Sequence, residues 1–210
     1  MNLLYGTTNK SKIEFMQACV APLGINILSL ADVSAPKLYI EENGNSPLEN
    51  ACIKARAYYN ALKTPLFSCD SGLYIDGLPE SRQPGINVRG PGDHMTDADA
   101  TAYYAALAAE MGGKMVARYV HAICFIDRNG TVHQHMGKDI ASAPFYMVDT
   151  PHAIRKEGFP LDSLSVHMAS GKYYYDLADG QYYDDIGSGG SGNNGFAAFF
   201  SRALYGNNSQ

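Results

Sequence analysis

No two of the four cysteines, Cys19, Cys52, Cys69 and Cys124, stand as a CxxC pair. Their spacing suggests neither a zinc cluster nor a disulfide framework, and reduced thiols in the cytoplasm fit best. Positive charge is also in short supply. Sixteen lysines and arginines face 21 aspartates and glutamates, for a formal net charge of -5. That balance argues against general affinity for nucleic acid or an anionic membrane, while leaving room for one small anion in a local basic pocket. No apolar run approaches the roughly 18 residues that would span a bilayer. The opening "MNLLYG" lacks the basic region and apolar stretch of a signal peptide. There is no GxxxxGK phosphate loop and no internal repeat.

What is there reads as a globular α/β chain. Its 210 residues, 46% hydrophobic, suffice for one sizeable core, in one lobe or two. No composition shift marks a domain boundary, so residues 1–210 read as a single domain. "NLLYG" at 2–6 predicts a strand. Ile13, Met16, Cys19, Val20 and Leu23 then recur at helical spacing up to Gly24. Ser46, Pro47 and Glu49 form a helix start, and Leu48, Ala51, Cys52, Ala55, Tyr59 and Leu62 give that helix an apolar face. Residues 66–69 predict a buried strand, and 80–93 an irregular loop. Thr96 caps a third helix that ends at Gly112 and Gly113. Residues 116–127 are rich in β-formers, "DRNG" signals a hairpin, and "TVHQHM" is the return strand. "GFPLDSLSV" turns into another strand, "GSGGSGNNG" reads as a flexible loop, and "FAAFFSRAL" predicts a last helix. Strands and helices interspersed in this way point to a mixed sheet.

Three polar clusters interrupt the scaffold. Thr7, Thr8, Asn9, Lys10, Ser11 and Lys12 lie at a strand-to-helix turn. Hydroxyls, an amide, lysines and helix-start N–H groups suit a phosphate chain, although a solvated helix start would look the same. Glu41, Glu42 and Asn43 offer the oxygens a hard cation prefers, or form an exposed acidic turn. Glu49, just downstream, reads as a capping residue. Asp70, Ser71 and Gly72 follow an apolar strand, a usual place for function in α/β proteins; an Asx-type turn joining two strands is the alternative. His133 and His135 lack a third metal ligand, the tyrosines at 173–175 read as packing, and the glycine-rich loop lacks a phosphate-binding lysine.

In order along the chain, these clusters resemble the inosine triphosphate pyrophosphatase family. Its T-G-N-x-x-K turn is similar to "TTNKSK", matching Thr7, Asn9 and Lys12 with Thr8 in place of glycine. Its E-[ED]-x-G and F-x-E-N-A-x-x-K-A segments resemble "EENG" (41–44) and "LENACIKA" (48–55). Its A-D-D-S-G-L hallmark resembles "SCDSGL" (68–73), and "PGINVR" (84–89) is a shortened P-G-x-x-S-A-R. The likeness is strong over about the first 90 residues, since five motifs keep their order with similar gaps. Later, G-F-G-Y-D-P reads "GFPLDS", keeping Gly158, Phe159 and Asp162, and G-K-T reads "GKY" (171–173). Two departures stand out: Cys69 replaces the first aspartate of the hallmark, and Asn193 and Asn194 replace a terminal His-Arg.

The resemblance implies a long, twisted mixed β-sheet flanked by helices, in two lobes with an active-site cleft between them. It implies a Mg²⁺-dependent hydrolase that cuts a nucleoside triphosphate to the monophosphate and pyrophosphate. The default substrate is a deaminated purine such as inosine or xanthosine triphosphate. The alternatives are a standard, modified or pyrimidine nucleotide, or a nucleotide-binding module without turnover. By the same resemblance, Asp70 is the catalytic base and holds the metal with Glu41. Thr7, Thr8, Asn9, Lys10, Lys12, Lys54, Ser71, Gly72, Phe159 and Asp162 bind the substrate. A cytoplasmic homodimer with no nucleic-acid or membrane partner is the implied setting.

Overall fold

The computed structural model describes residues 1–91, 95–177 and 195–206. Within them the strands are β1 (Asn2–Tyr5), β2 (Asn26–Leu28), β3 (Leu66–Ile75), β4 (Lys114–Ile126), β5 (Val132–Met136), β6 (Phe145–Val148) and β7 (Ser165–Val166). The helices are α1 (Lys10–Val20), α2 (Pro47–Leu62), α3 (Asp97–Glu110) and α4 (Gly195–Tyr205). The described strands share one sheet of order β2-β1-β3-β4-β6-β7, with β5 paired to β4. β1 runs parallel to β2 and β3, whereas β4–β5, β4–β6 and β6–β7 are antiparallel. The sheet is therefore mixed and flanked by helices, as the alternation of elements predicts.

The chain forms two compact units, each assembled from separate segments. The first takes in Met1–Ser71, Val120–Ala141 and the segment carrying α4. Its strands are buried on both faces, which is why "NLLY" is apolar without alternation. Leu3 and Tyr5 of β1 face α1 and α4 in a cluster with Met16, Phe67, Phe125 and Phe200. Leu4 faces the other way, with Ala51 and Ala55 of α2 and with Ala122, Cys124 and Ile126 of β4. The Tyr5 and Phe67 rings stack at 4.3 Å, and Phe200 meets Phe67 edge-on at 5.0 Å.

The second unit takes in Gly72–Tyr119 and a segment beginning at Ser142. Its core gathers Leu73 and Ile75 of β3, Tyr104 and Leu107 of α3, Met115 of β4, and Phe145 and Met147 of β6. Thr96 and Asp99 close a full capping box at the start of α3.

Two features differ from the sequence reading. β3 does not stop at Cys69, and no turn forms at Asp70-Ser71-Gly72. The strand continues to Ile75, because Leu73 and Ile75 resume the buried alternation and Leu73 exchanges both backbone hydrogen bonds with Gly85. β2 and β6 were not expected, since three or four residues carry too little periodicity to register. No described helix is long and apolar enough to cross a membrane.

Candidate active site

The turn after β1 is fixed before it binds anything. Gly6 donates its N–H to the Phe67 carbonyl at 2.7 Å, and Leu30 donates to the Thr7 carbonyl at 3.2 Å. A side chain at Gly6 would run into Ser68 Oγ on β3. Asn9 caps α1, its side-chain oxygen accepting from the Lys12 N–H at 3.1 Å, and Thr7 Oγ1 accepts from the Asn9 N–H at 3.2 Å. Thr8, Asn9 and Lys10 are exposed, while Lys12 is half-buried. The cap thus sets which way the first turn of α1 presents Lys12.

α2 supplies the second wall. Ser46 Oγ accepts from the Glu49 N–H at 3.2 Å, and Pro47 occupies the first turn. The Glu49 carboxylate reaches one residue beyond the usual capping box and accepts from the Asn45 N–H at 2.7 Å. Asn50, next along, is buried. Its side-chain oxygen accepts from the Gly44 N–H at 2.8 Å, and its side chain also hydrogen-bonds Asp70. One turn further on, the Lys54 ammonium pairs with Glu42 at 2.7 Å.

Asp70 stands where these elements converge on β3. Burial pushes its carboxyl up from the ordinary range. The Lys54 and Lys12 charges pull it down, Glu42 pushes it up again, and the Asn50 hydrogen bond steadies the ionised form. An anionic oxygen thus faces two cations from two different helices. Cys69 beside it is buried, and burial drives its thiol up to about 12 against the opposing pull of a Tyr5 hydrogen bond and of Lys12 and Lys54. It is a neutral thiol where the hallmark motif has a carboxylate. Ser71 Oγ lies 2.8 Å from Nδ1 of His121 on β4. Burial, with Lys12 adding to it, lowers His121 to about 4, so the imidazole is neutral at pH 7.

The structure therefore brings Lys12, Lys54, Asp70 and Ser71 together in the first unit, with the Thr7–Lys10 turn at the start of α1. Glu41 is exposed, and the carboxylate whose charge reaches Asp70 is its neighbour Glu42. Asn50 and His121 escaped the sequence reading, which has Glu42 only as part of the acidic cluster with Glu41 and Asn43. The E-N-A motif contained the signal for Asn50, whereas nothing local marks His121, which lies 50 residues from its Ser71 partner. Gly72, Phe159 and Asp162 belong to the second unit. There, the Gly158 N–H donates to Asp97 at 2.7 Å, and Lys156 Nζ lies 4.4 Å over the Phe159 ring. Burial raises Asp162 to about 6. Asn193 and Asn194 lie outside the described residues.

A sequence model described as the Ham1 family matches residues 3–141. The chain belongs to the Ham1 family. The matched span contains the Thr7–Lys12 turn, Glu41, Lys54 and the Asp70 strand; it ends before Phe159 and Asp162. Among relatives, a dITP/XTP pyrophosphatase of Aquifex aeolicus (strain VF5) is 40% identical over 86 residues, 41% of this chain and 40% of the relative. A dITP/XTP pyrophosphatase of Rhodopseudomonas palustris (strain ATCC BAA-98 / CGA009) is 33% identical over 137 residues, 63% of each chain. The chain thus spans between 40% and 63% of the length of these two relatives. The solved structure of a HAM1 protein from Coxiella burnetii shares the fold, with a TM-score of 0.67 at 23% identity over 97% of this chain and 98% of that one.

Proposed function

We propose that this Ham1-family chain hydrolyses a nucleoside triphosphate to the monophosphate and pyrophosphate, with a deaminated purine such as inosine or xanthosine triphosphate as the default substrate. The observation that carries the reading is Asp70: a partly buried carboxylate on β3, held by Asn50 and faced by Lys12 and Lys54. Burial makes it a better proton acceptor than an exposed aspartate, which suits a base that takes a proton from an attacking water. Asn50 keeps the acceptor oxygen aimed. Lys12 and Lys54 carry the positive charge that a triphosphate tail requires. Thr7, Thr8, Asn9 and Lys10 add donors beside the tail, and Ser71 and Gly72 line the approach. Phe159 and Asp162 are assigned to the nucleoside on the family resemblance.

Mg²⁺ fits the residues present. Asp70 feels the charge of Glu42, and two neighbouring carboxylates favour a cation beside them. By the family resemblance Asp70 with Glu41 would hold the ion, whereas the carboxylate whose charge reaches Asp70 is Glu42, itself paired with Lys54 at 2.7 Å. Among the described residues no three His, Cys, Asp or Glu side chains gather as a ligand cluster; Mg²⁺ commonly takes only one or two carboxylates and completes its shell with water and phosphate oxygens. When bound, such an ion neutralises phosphate charge and aligns the leaving pyrophosphate.

The deciding experiment incubates the protein with Mg²⁺ and a panel of nucleoside triphosphates and measures pyrophosphate release, with Asp70→Asn as control. Release from inosine or xanthosine triphosphate that vanishes in the variant supports the proposal. Release from another base alone supports a second reading, in which the two asparagines at 193 and 194 have shifted base preference, since they offer both donors and acceptors. Binding of every nucleotide without release sinks the enzymatic reading. A homodimer in the cytoplasm is part of the proposal, and light scattering on the purified chain checks the dimer.

A further inference from the structure

Two of the four thiols stand apart from the rest. Cys124 on β4 lies directly across from Gln134 on β5, so the two side chains share one face of the sheet. That is the face on which α2 packs. Cys52 of α2 sits over this pair, its thiol donating to Gln134 Oε1 at 3.2 Å and hydrogen-bonded to Cys124. Cys124 is fully buried, whereas Cys52 is partly open to solvent. Arg56 follows one helical turn after Cys52, on the same side of α2.

We propose that Cys52 and Cys124 form an oxidisable dithiol, with Cys52 the thiol that reacts with hydroperoxides and Cys124 the one that resolves it into a disulfide. In the first step the Cys52 sulfur attacks the peroxide oxygen. A sulfur–oxygen bond forms, the O–O bond breaks, and the departing alkoxide or hydroxide takes up the thiol proton, leaving a sulfenic acid. In the second, the Cys124 sulfur attacks the Cys52 sulfur. The sulfur–sulfur bond forms, the sulfur–oxygen bond breaks, and water leaves with the Cys124 proton. Two thiols lose two electrons in total, and the hydroperoxide is reduced to an alcohol or water.

The charge distribution supports this assignment of roles. The Cys124 hydrogen bond lowers Cys52 to about 7 against the opposing effect of burial, with Arg56 assisting. The same contact, with burial, pushes Cys124 upward. The thiolate therefore resides on the accessible sulfur, as a peroxide-reactive cysteine requires. Burial holds Cys19 and Cys69 at about 12, which keeps both protonated and inert. The inference is independent of the hydrolytic reading.

The test oxidises the purified full chain with hydrogen peroxide, labels the remaining thiols with a maleimide after unfolding, and maps unreduced peptides by mass spectrometry. Two thiols should label, with one cross-linked peptide pair joining Cys52 to Cys124 within a single chain. Cys52→Ser should abolish the cross-link, while Cys19→Ser and Cys69→Ser should leave it intact. Because Cys124→Ser removes a core group and its fold is at risk, the wild-type map and Cys52→Ser decide the matter. Full labelling of all four thiols, a sulfinic acid at Cys52 without a cross-link, a bond to Cys69, or a bond between two chains would each overturn the proposal.

Discussion

Asp162 is a carboxylate in a place that disfavours its charge. Burial raises it from 3.8 to about 6, so the folded chain holds that proton more tightly than the unfolded chain does. Stability therefore falls as pH rises from 3.8 to about 6 and stays reduced above that window. The full effect at pH 7 is at most about 3 kcal/mol. Asp162→Asn should raise the urea midpoint at pH 7 and have little effect below pH 3.8; an equal gain at both would mean the charge is not the cause. His121 works in the opposite sense. Burial lowers it from 6.5 to about 4, the unfolded chain binds the extra proton, and stability is lost as pH falls through that window. At Asp70, replacement by Asn should cut pyrophosphate release by at least about 100-fold, the low end for losing a general base. Far-UV circular dichroism should be unchanged. Asp70, Lys12 and Lys54 were legible because each sits in an ordered motif. Asn50 and His121 were not, and neither was the choice of Glu42 over Glu41 as the carboxylate acting on Asp70, since these roles depend on which side chains the sheet and helices bring near, and local pattern does not encode that.

Helix α2 converts a short signal into site geometry. Ser46 and Pro47 announce its start in the sequence, and the structure places Gly44 just upstream with its N–H on Asn50. A Cβ at Gly44 would lie 2.6 Å from Glu49 Cβ and 2.7 Å from Asn50 Oδ1, both on the helix it leads into. Gly44→Ala should therefore cost about 1–3 kcal/mol by overpacking and also displace the residue that holds Asp70. Ser46→Ala removes only the cap and should cost about 1 kcal/mol. Chemical denaturation of both variants ranks the two, and Gly44→Ala alone should lose most of its pyrophosphate release. α2 and α3 were readable because a cap residue and an apolar pattern agree over fourteen or more residues, and α1 and α4 from their apolar residues. The sequence carries β3 only to Cys69, with a turn as one alternative at Asp70-Ser71-Gly72, because Asp-Ser-Gly carries turn chemistry. The buried Leu73 and Ile75 and the Gly85 ladder overrode that preference, as tertiary context does for strands.

For the whole molecule, the net charge of -5 repels polyanions at long range, and Lys12 and Lys54 offset it beside Asp70. At about 0.1 M salt the Debye length is about 10 Å, so that local attraction does not extend over the surface. Labelled duplex DNA should accordingly show no saturable anisotropy change at physiological salt, while a labelled nucleoside triphosphate should. The mixed sheet was legible from the order of its elements. Two lobes were expected from the family resemblance alone; the residue pattern did not show where the chain divides, because β3 and β4 each contribute to both units and no composition change marks the crossing.

The ring of Phe200 closing on Phe67 has a consequence for how the chain is made. Phe67 belongs to the first third of the sequence and Phe200 to its last helix, yet both lie in the first unit. A ribosome adding about 5–20 residues per second delivers β1, β2, α1, α2 and β3 well before α4. During that interval the apolar face of Tyr5, Phe67 and Phe125 waits without its cover. The second unit waits less, since its late core residues Leu161 and Leu164 precede α4. The amino-terminal portion is therefore the last to be completed, and a stall in synthesis just before α4 would present that face to chaperones and proteases.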